Sequence, residues 1–204
     1  MKKGNDYAAL KKAGLPVPIY GVFDSSCLCD ETSKAKLRHC VEQILTAGSG
    51  FIGVRTEPKE GQSNLGNYPH YMPLGDFEEV TDAIKRNERE WPQNQWWYLV
   101  NEAFSNYEWN AVVKLTQQGS LPGYWSLEGE VNLTDNLPLR DALANSANLI
   151  SCNKWIGNDS ANLRKSVLQS GLFDSWLEVS KVRTPKGSRL VFWGMRGNDQ
   201  GKRN

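Results

Sequence analysis

Glu128 and Glu130 lie two positions apart in Trp125-Ser126-Leu127-Glu128-Gly129-Glu130, a run with the composition of a β-strand. In a strand the two share one face, where they hold a hard cation such as Mg²⁺ or stand as a pair toward solvent. Arg55 ends a short apolar run, Phe51-Ile52-Gly53-Val54-Arg55, that reads as a buried strand whose last residue emerges at a sheet edge or in a cleft. A guanidinium there clamps an anion or enters a surface ion pair. The strand pattern at 97–104 has an apolar centre and a polar end carrying Glu102, which suits a buried linker opening onto a cleft. Glu178 sits in the apolar run Trp176-Leu177-Glu178-Val179, where a buried carboxylate needs a partner, an arginine being the structural choice. Of the two histidines, His39 falls in a long helical pattern and His70 in the run Tyr68-Pro69-His70-Tyr71-Met72, open to a substrate or a plain loop role. Cys27-Leu28-Cys29 is spaced too tightly for a structural zinc pair and has no matching second pair, while Cys40 belongs to a helix core face.

The elements that must position these residues follow from periodicity and punctuation. Pro16 and Pro18 end a helix over 6–13 and force an extended exit toward a strand at 20–23. Leu37, Cys40, Val41, Ile44 and Leu45 recur at helical spacing through 30–45, and Gly48-Ser49-Gly50 stops that helix. Residues 56–73, rich in Gly, Pro, Asn and Gln, read as loop. Gly75-Asp76 starts a third helix with Phe77, Val80 and Ile84 on one face, running to residue 90. Stretches 97–104, 108–116 and 123–131 are separated by turn-forming clusters and read as an antiparallel meander. Helices over 137–148 and 160–169 come next, then a hairpin of 176–182 and 189–195 turned by Thr184-Pro185-Lys186-Gly187, then a polar tail.

Two motif sets carry a resemblance. At one end, Lys3-Gly4-Asn5 opens a helical stretch, Gly14 follows eleven residues after Lys3, and Gly14-Leu15-Pro16-Val17-Pro18 leads into the first strand. This resembles the opening of the nucleotide-binding domain of pyruvate phosphate dikinase and phosphoenolpyruvate synthase, in the ATP-grasp group. Val54-Arg55-Thr56-Glu57 is similar to that family's Val-Arg-Ser-Ser strand end, with Glu57 and Pro58 as departures, and 59–67 stands where its glycine-rich phosphate loop lies. At the other end, Trp176-Leu177-Glu178-Val179 and Leu190-Val191-Phe192-Trp193-Gly194-Met195-Arg196 follow the order of the family's Asp-Ile-Glu-Trp, turn and strand ending Gln-x-Arg-Pro, with Gly194 in place of the glutamine.

The resemblance implies an α+β, ATP-grasp-like fold in reduced form: two small lobes with a central antiparallel sheet, residues 1–94 and 95–204, forming one compact bilobed unit. It implies binding of ATP with Mg²⁺, and phosphoryl transfer or ligation to an unknown small-molecule or protein acceptor. Lys3, Arg55 and Arg196 would meet the phosphates, Glu102 and Lys114 the nucleotide, and Glu128, Glu130 and Glu178 the metal. Nothing resembles the family's phosphohistidine domain or pyruvate-binding barrel, so a phosphoryl relay to pyruvate is not expected to run on this chain alone.

Composition sets the bounds. Over 204 residues, 24 basic groups balance 23 acidic ones, so no whole-chain field favours nucleic acid or an anionic membrane. Residues 1–6 lack an apolar signal core and no run approaches the roughly 18 apolar residues of a membrane span, so a cytoplasmic location is expected. The Asn-x-Ser/Thr matches at Asn132 and Asn158 carry little weight without a secretory signal. Eight tryptophans are more unusual, and Trp91, Trp96, Trp97, Trp109 and Trp125 crowd one central stretch. They serve as sheet core, or as stacking platforms for a single-stranded nucleic acid with Lys85, Arg86 and Arg89. Gly194 and the shortened phosphate loop leave a further alternative, a non-catalytic module that binds a partner or senses nucleotide.

Overall fold

The computed structural model describes residues 2–59, 68–92, 95–117, 125–132, 149–151, 158–172 and 175–196. The order is α1 (Lys2–Lys12), β1 (Tyr20–Phe23), a 3-10 turn (Ser25–Leu28), α2 (Glu31–Ala47), β2 (Phe51–Pro58), β3 (His70–Leu74), α3 (Phe77–Glu90), β4 (Trp96–Ala103), β5 (Tyr107–Gln117), β6 (Trp125–Asn132), β7 (Leu149–Ser151), α4 (Asn158–Ser170), β8 (Trp176–Thr184) and β9 (Gly187–Arg196). The chain divides into two compact units, residues 1–5 with 18–105, and residues 6–17 with 106–204.

In the first unit, β1-β4-β2-β3 form one sheet in that order, every neighbour antiparallel. Side chains alternate across it. Ile52 and Val54 of β2 and Trp96, Tyr98 and Val100 of β4 join Leu37, Val41 and Ile44 of α2 and Phe77, Val80 and Ile84 of α3 in one core. The helices begin and end where the sequence says they should. The Asp30 carboxylate accepts the Ser33 amide at 2.7 Å, and Gly48 closes α2 at φ 82°, a left-handed conformation that costs glycine least. Asp76 accepts the Glu79 amide at 2.8 Å, while Glu79 reaches back to the Gly75 amide at 2.6 Å, a reciprocal cap that fixes the start of α3. A polar chain ties α3 to the sheet: Tyr98 donates to Glu88 at 2.6 Å and accepts from Asn87 at 3.2 Å, and Tyr71 donates to Asn87 at 3.3 Å.

In the second unit, β7-β6-β5-β8-β9 form an antiparallel sheet. Leu10 of α1, Leu15, and Leu163 and Val167 of α4 pack on Trp109, Ala111, Val113, Leu177, Val179 and Phe192. Pro16 has no N–H to give, but its carbonyl accepts the Phe192 amide at 2.8 Å, so the Pro-bounded exit is tied to β9. The β8–β9 hairpin turns at Pro185 and Lys186, with Gly187 at φ 113°.

Three expectations change. The 97–104 stretch is not the first strand of a meander with 108–116 and 123–131: β4 lies in the first sheet between β1 and β2, while β5 pairs with β6 and β8. Ser105-Asn106 links two units rather than turning a hairpin. Residues 56–73 are not all loop, because β2 runs to Pro58 and β3 covers His70–Leu74. Pro73 fits there because β3 is an edge strand. The division expected after residue 94 falls instead after Ser105, and residues 6–17 go with the second unit. The 137–148 helix, the loop residues 60–67 and the tail beyond 196 lie outside the described residues.

Candidate active site

The first unit concentrates polar chemistry on the sheet face opposite its helices. With Ile52 and Val54 turned into the core, Gly53 and Arg55 of β2 face the other way. Arg55 stands opposite His70 of β3 on one side and Leu99 of β4 on the other, and Gly53 stands opposite Asn101. The Arg55 Nε is buried and has no hydrogen-bond partner, and so is the Oδ1 of Asn101, a residue 3% exposed whose Nδ2 donates to the Glu102 carbonyl. Leaving such a group unsatisfied costs about 1–3 kcal/mol. A side chain at Gly53 would meet His70 Nε2 at 3.4 Å, Asn101 Nδ2 at 3.8 Å and the Ala103 Cβ at 3.8 Å, so the glycine keeps room among these groups. The His70 residue is exposed overall, while its Nε2 end crowds the Gly53 position. That crowding, with Arg55 alongside, lowers its pKa to about 4, so the imidazole is neutral at pH 7.

Glu102 lies on the other face of β4, completely buried, opposite Ile52. Its Oε2 accepts the Ile19 amide at 2.8 Å, and its own amide donates to the Ile19 carbonyl at 2.9 Å. The carboxylate thus splices the approach to β1 onto β4. Glu57, the departure from the resembled motif, accepts the Lys2 amide with both oxygens, at 2.7 and 2.8 Å, and so caps the first turn of α1. Lys3 lies in that same turn, half-buried. Lys59, just past β2, pairs with Asp24 at 2.9 Å and lies 4.5 Å over the Trp97 ring; the Ser26 hydroxyl first, and Lys59 second, hold the Asp24 carboxyl below the usual range.

In the second unit, cross-strand register makes a row: Ser151 of β7, Glu130 of β6, Val112 of β5, Glu178 of β8 and Gly194 of β9. Lys114 stands opposite Glu128 in the next such row. Glu178 is half-buried, and the position that carries glutamine in the resembled family, Gly194, is its direct cross-strand neighbour. Arg196 ends β9 opposite Trp176. The side chains of Glu128, Glu130 and Arg196 lie outside the described residues.

Thus β2, β3 and β4 bring Arg55 together with His70 and Asn101, and register brings Glu130 into line with Glu178. Reading the sequence missed Asn101, Gly53 and Glu57. The strand alternation that made Arg55 a candidate gives Gly53 the same face, but Asn101 joins them only through a pairing between distant segments. Among the described residues no group of three or more His, Cys, Asp or Glu is arranged to hold a metal ion, and no helix is long and apolar enough to cross a membrane. Cys27 is buried, and burial with Asp24 nearby pushes its thiol up to about 12. Trp96 and Trp109 are also buried, the latter donating to Asp159 at 3.3 Å, and so are core residues rather than stacking platforms.

No protein-family model matches the chain, and no curated protein matches it. Among solved structures it is similar to the ADP complex of N5-carboxyaminoimidazole ribonucleotide synthetase, with a TM-score of 0.53 and 15% identity over 96% of this chain and 44% of that one. Two others are D-alanine-D-alanine ligase from Coxiella burnetii, with a TM-score of 0.47 and 13% identity over 96% of this chain and 47% of that one, and VanG D-Ala:D-Ser ligase from Enterococcus faecalis, at 0.48 and 15% over 96% and 52%. The chain spans about half the length of these proteins or less. At this identity the likeness is one of fold, and it rests on the first comparison: α+β, two lobes built around antiparallel sheets, the ATP-grasp-like architecture. That is broader than the dikinase-type domain expected from the terminal motifs.

Proposed function

We propose that the chain binds ATP with Mg²⁺, and that Arg55 is its principal phosphate-binding side chain. The observation that carries this reading is the buried, unpartnered Nε of Arg55 beside a neutral imidazole, over a glycine that leaves room on an otherwise packed sheet. A fixed cation with an open donor fits a phosphate oxygen better than it fits a structural ion pair, which would already have closed the bond. The fold supports the same reading, being shared with an enzyme solved as its ADP complex. Lys3 and Arg196 are assigned to the phosphates and Lys114 to the nucleotide. Glu102 is assigned to holding Ile19 rather than to the nucleotide, since its Oε2 accepts that amide.

Glu128, Glu130 and Glu178 would hold the magnesium; an all-oxygen carboxylate set suits a hard cation. When bound, the metal neutralises charge on the phosphates. The chemistry proposed is transfer of the terminal phosphoryl group. An acceptor oxygen forms the new P–O bond as the bridging P–O bond breaks and ADP leaves, while Arg55 stabilises the charge that moves onto the bridging oxygen.

A second reading is favoured by one observation: Gly194, with no side chain, stands directly opposite Glu178. A module that binds nucleotide without turnover follows if that missing donor is essential. The test is calorimetric titration of ATP, with and without Mg²⁺, into the wild type, Arg55→Ala and Glu178→Gln, with ADP release assayed in parallel. Arg55→Ala is expected to weaken binding at least tenfold with the fold intact, and Glu178→Gln to abolish the metal dependence. Unchanged affinity in Arg55→Ala refutes the assignment. Binding without ADP release, whatever acceptor is offered, selects the second reading.

A further inference from the structure

Beyond the Arg55 donor, the same sheet face holds three further features. His70, directly opposite Arg55, has its Nε2 3.4 Å from the point a Gly53 side chain would occupy. Asn101, directly opposite Gly53, is buried with its Oδ1 unsatisfied. Gly53 lies in mid-strand with no left-handed backbone to explain it, since the positive-φ glycines are Gly14, Gly48, Gly50, Gly171 and Gly187. A glycine inside a strand weakens it unless something must approach closely. Here the space it leaves is bordered by the His70 ring nitrogen and the Asn101 amide, with the open donor of Arg55 two residues along on the same face.

We propose that His70, Arg55 and Asn101 form a phosphate subsite seated over Gly53, with the His70 Nε2 as a direct ligand of the phosphate. Arg55 and His70 donate to phosphate oxygens, and the Asn101 Oδ1 accepts from a hydroxyl or amino group carried by the same ligand. The exposed side of His70 is the side from which the ligand enters. This deepens the nucleotide reading and rests on it for the identity of the phosphate compound. It places a neutral imidazole beside the guanidinium. Being uncharged, the imidazole adds a hydrogen bond without repelling Arg55 when the site is empty. Arg55 is the charged group that acts on the ring; a phosphate arriving between them would offset it and draw a proton onto His70.

The chain has two histidines, so the imidazole C–H region of its proton NMR spectrum has two sets of signals, assigned by His70→Gln. His39, on α2 and within 3.0 Å of Gln43, is the internal control. Pyrophosphate and, separately, ATP are titrated into the full chain while both signals are followed against pH. The expected result is a saturable shift of the His70 signal alone, with its titration midpoint raised by about one pH unit. Gly53→Ala, whose new methyl meets its neighbours at ordinary contact distance, should fold and lose at least tenfold in the pyrophosphate affinity that His70 reports.

If calorimetry shows ATP binding while the His70 signal stays still, this inference is overturned and the nucleotide reading stands. Pyrophosphate moving His70 without any ATP heat upholds the subsite and removes the nucleotide. A Gly53→Ala protein that responds like wild type overturns the seat over Gly53, and silence toward both ligands overturns the subsite itself.

Discussion

Removing the Glu102 carboxylate should destabilise the chain more than any assignment of that residue to a ligand would allow. Glu102 is fully buried, and its Oε2 accepts the Ile19 amide at 2.8 Å. A hydrogen bond to a charged acceptor contributes about 1.5–3 kcal/mol, and truncation to alanine also leaves the space of the missing side chain. Glu102→Ala should therefore cost roughly 3 kcal/mol. For a chain of this size about 1 kcal/mol moves Tm by roughly 2–4 °C, so a fall of about 6–12 °C is expected. Glu102→Gln keeps an oxygen at the end of a side chain of the same length and should lose only about half as much. Circular dichroism melts at neutral pH measure both, with ATP calorimetry run on the glutamine variant. An alanine variant that melts within 2 °C of wild type refutes the reasoning. So does a glutamine variant that keeps its Tm but loses nucleotide affinity, a result that would return Glu102 to the ligand.

Three further outcomes are expected. His70 binds its proton more weakly in the folded chain, near pH 4, than in an unfolded one, near 6.5. The unfolded state therefore takes up the extra proton, and stability falls as pH drops from about 6.5 to about 4 and then levels. Solvent on the open side of the ring reduces that loss to about 1 kcal/mol, and denaturant curves across this range should show wild type losing that much stability relative to His70→Gln if the histidine is responsible. Leu163→Ala, at a fully buried position of α4, should cost about 2–5 kcal/mol by chemical denaturation; less than 1 would mean that α4 does not anchor the second core. Asp76→Ala should lose about 1 kcal/mol through the broken cap of α3, a loss that asparagine at the same position should largely restore.

Local signals in the sequence were faithful where the physics is local. Asp30 and Asp76 at helix starts, Gly48 at a helix end and Thr184 to Gly187 at a hairpin each act within a few residues, so α2, α3 and the β8–β9 pair were readable. Arg55 was legible as a charge following an apolar run, although it does not end its strand, since β2 continues to Pro58. Strand partners were not. Nothing near Trp96–Ala103 says that its neighbours are Tyr20–Phe23 and Phe51–Pro58, and the polar link at Ser105-Asn106 has the composition of a turn. For the same reason Asn101 was invisible as a site residue, because its position beside Gly53 exists only once β2 and β4 pair. The bond between Glu102 and the Ile19 amide was equally invisible, because the two lie 83 residues apart in sequence. The density of Pro and Gly around His70 masked β3, where an edge position removes the usual objection to proline.

The second unit takes Leu10, Leu15 and Pro16 from a short segment, residues 6–17, that interrupts the first unit, and everything else from after residue 105. In chain order the two units are interlaced, the first holding residues 1–5 and 18–105 and the second 6–17 and 106–204, so the chain passes between them three times. No single cut can release both as complete bodies: a polypeptide starting at residue 106 lacks the two leucines that cover Phe192 and the carbonyl that receives its amide. A nick at Ser105, by contrast, severs one crossing and leaves the other two intact, at residues 5–6 and 17–18. Any recombination that moved either body intact would have had to act at three points in the gene rather than joining domains end to end.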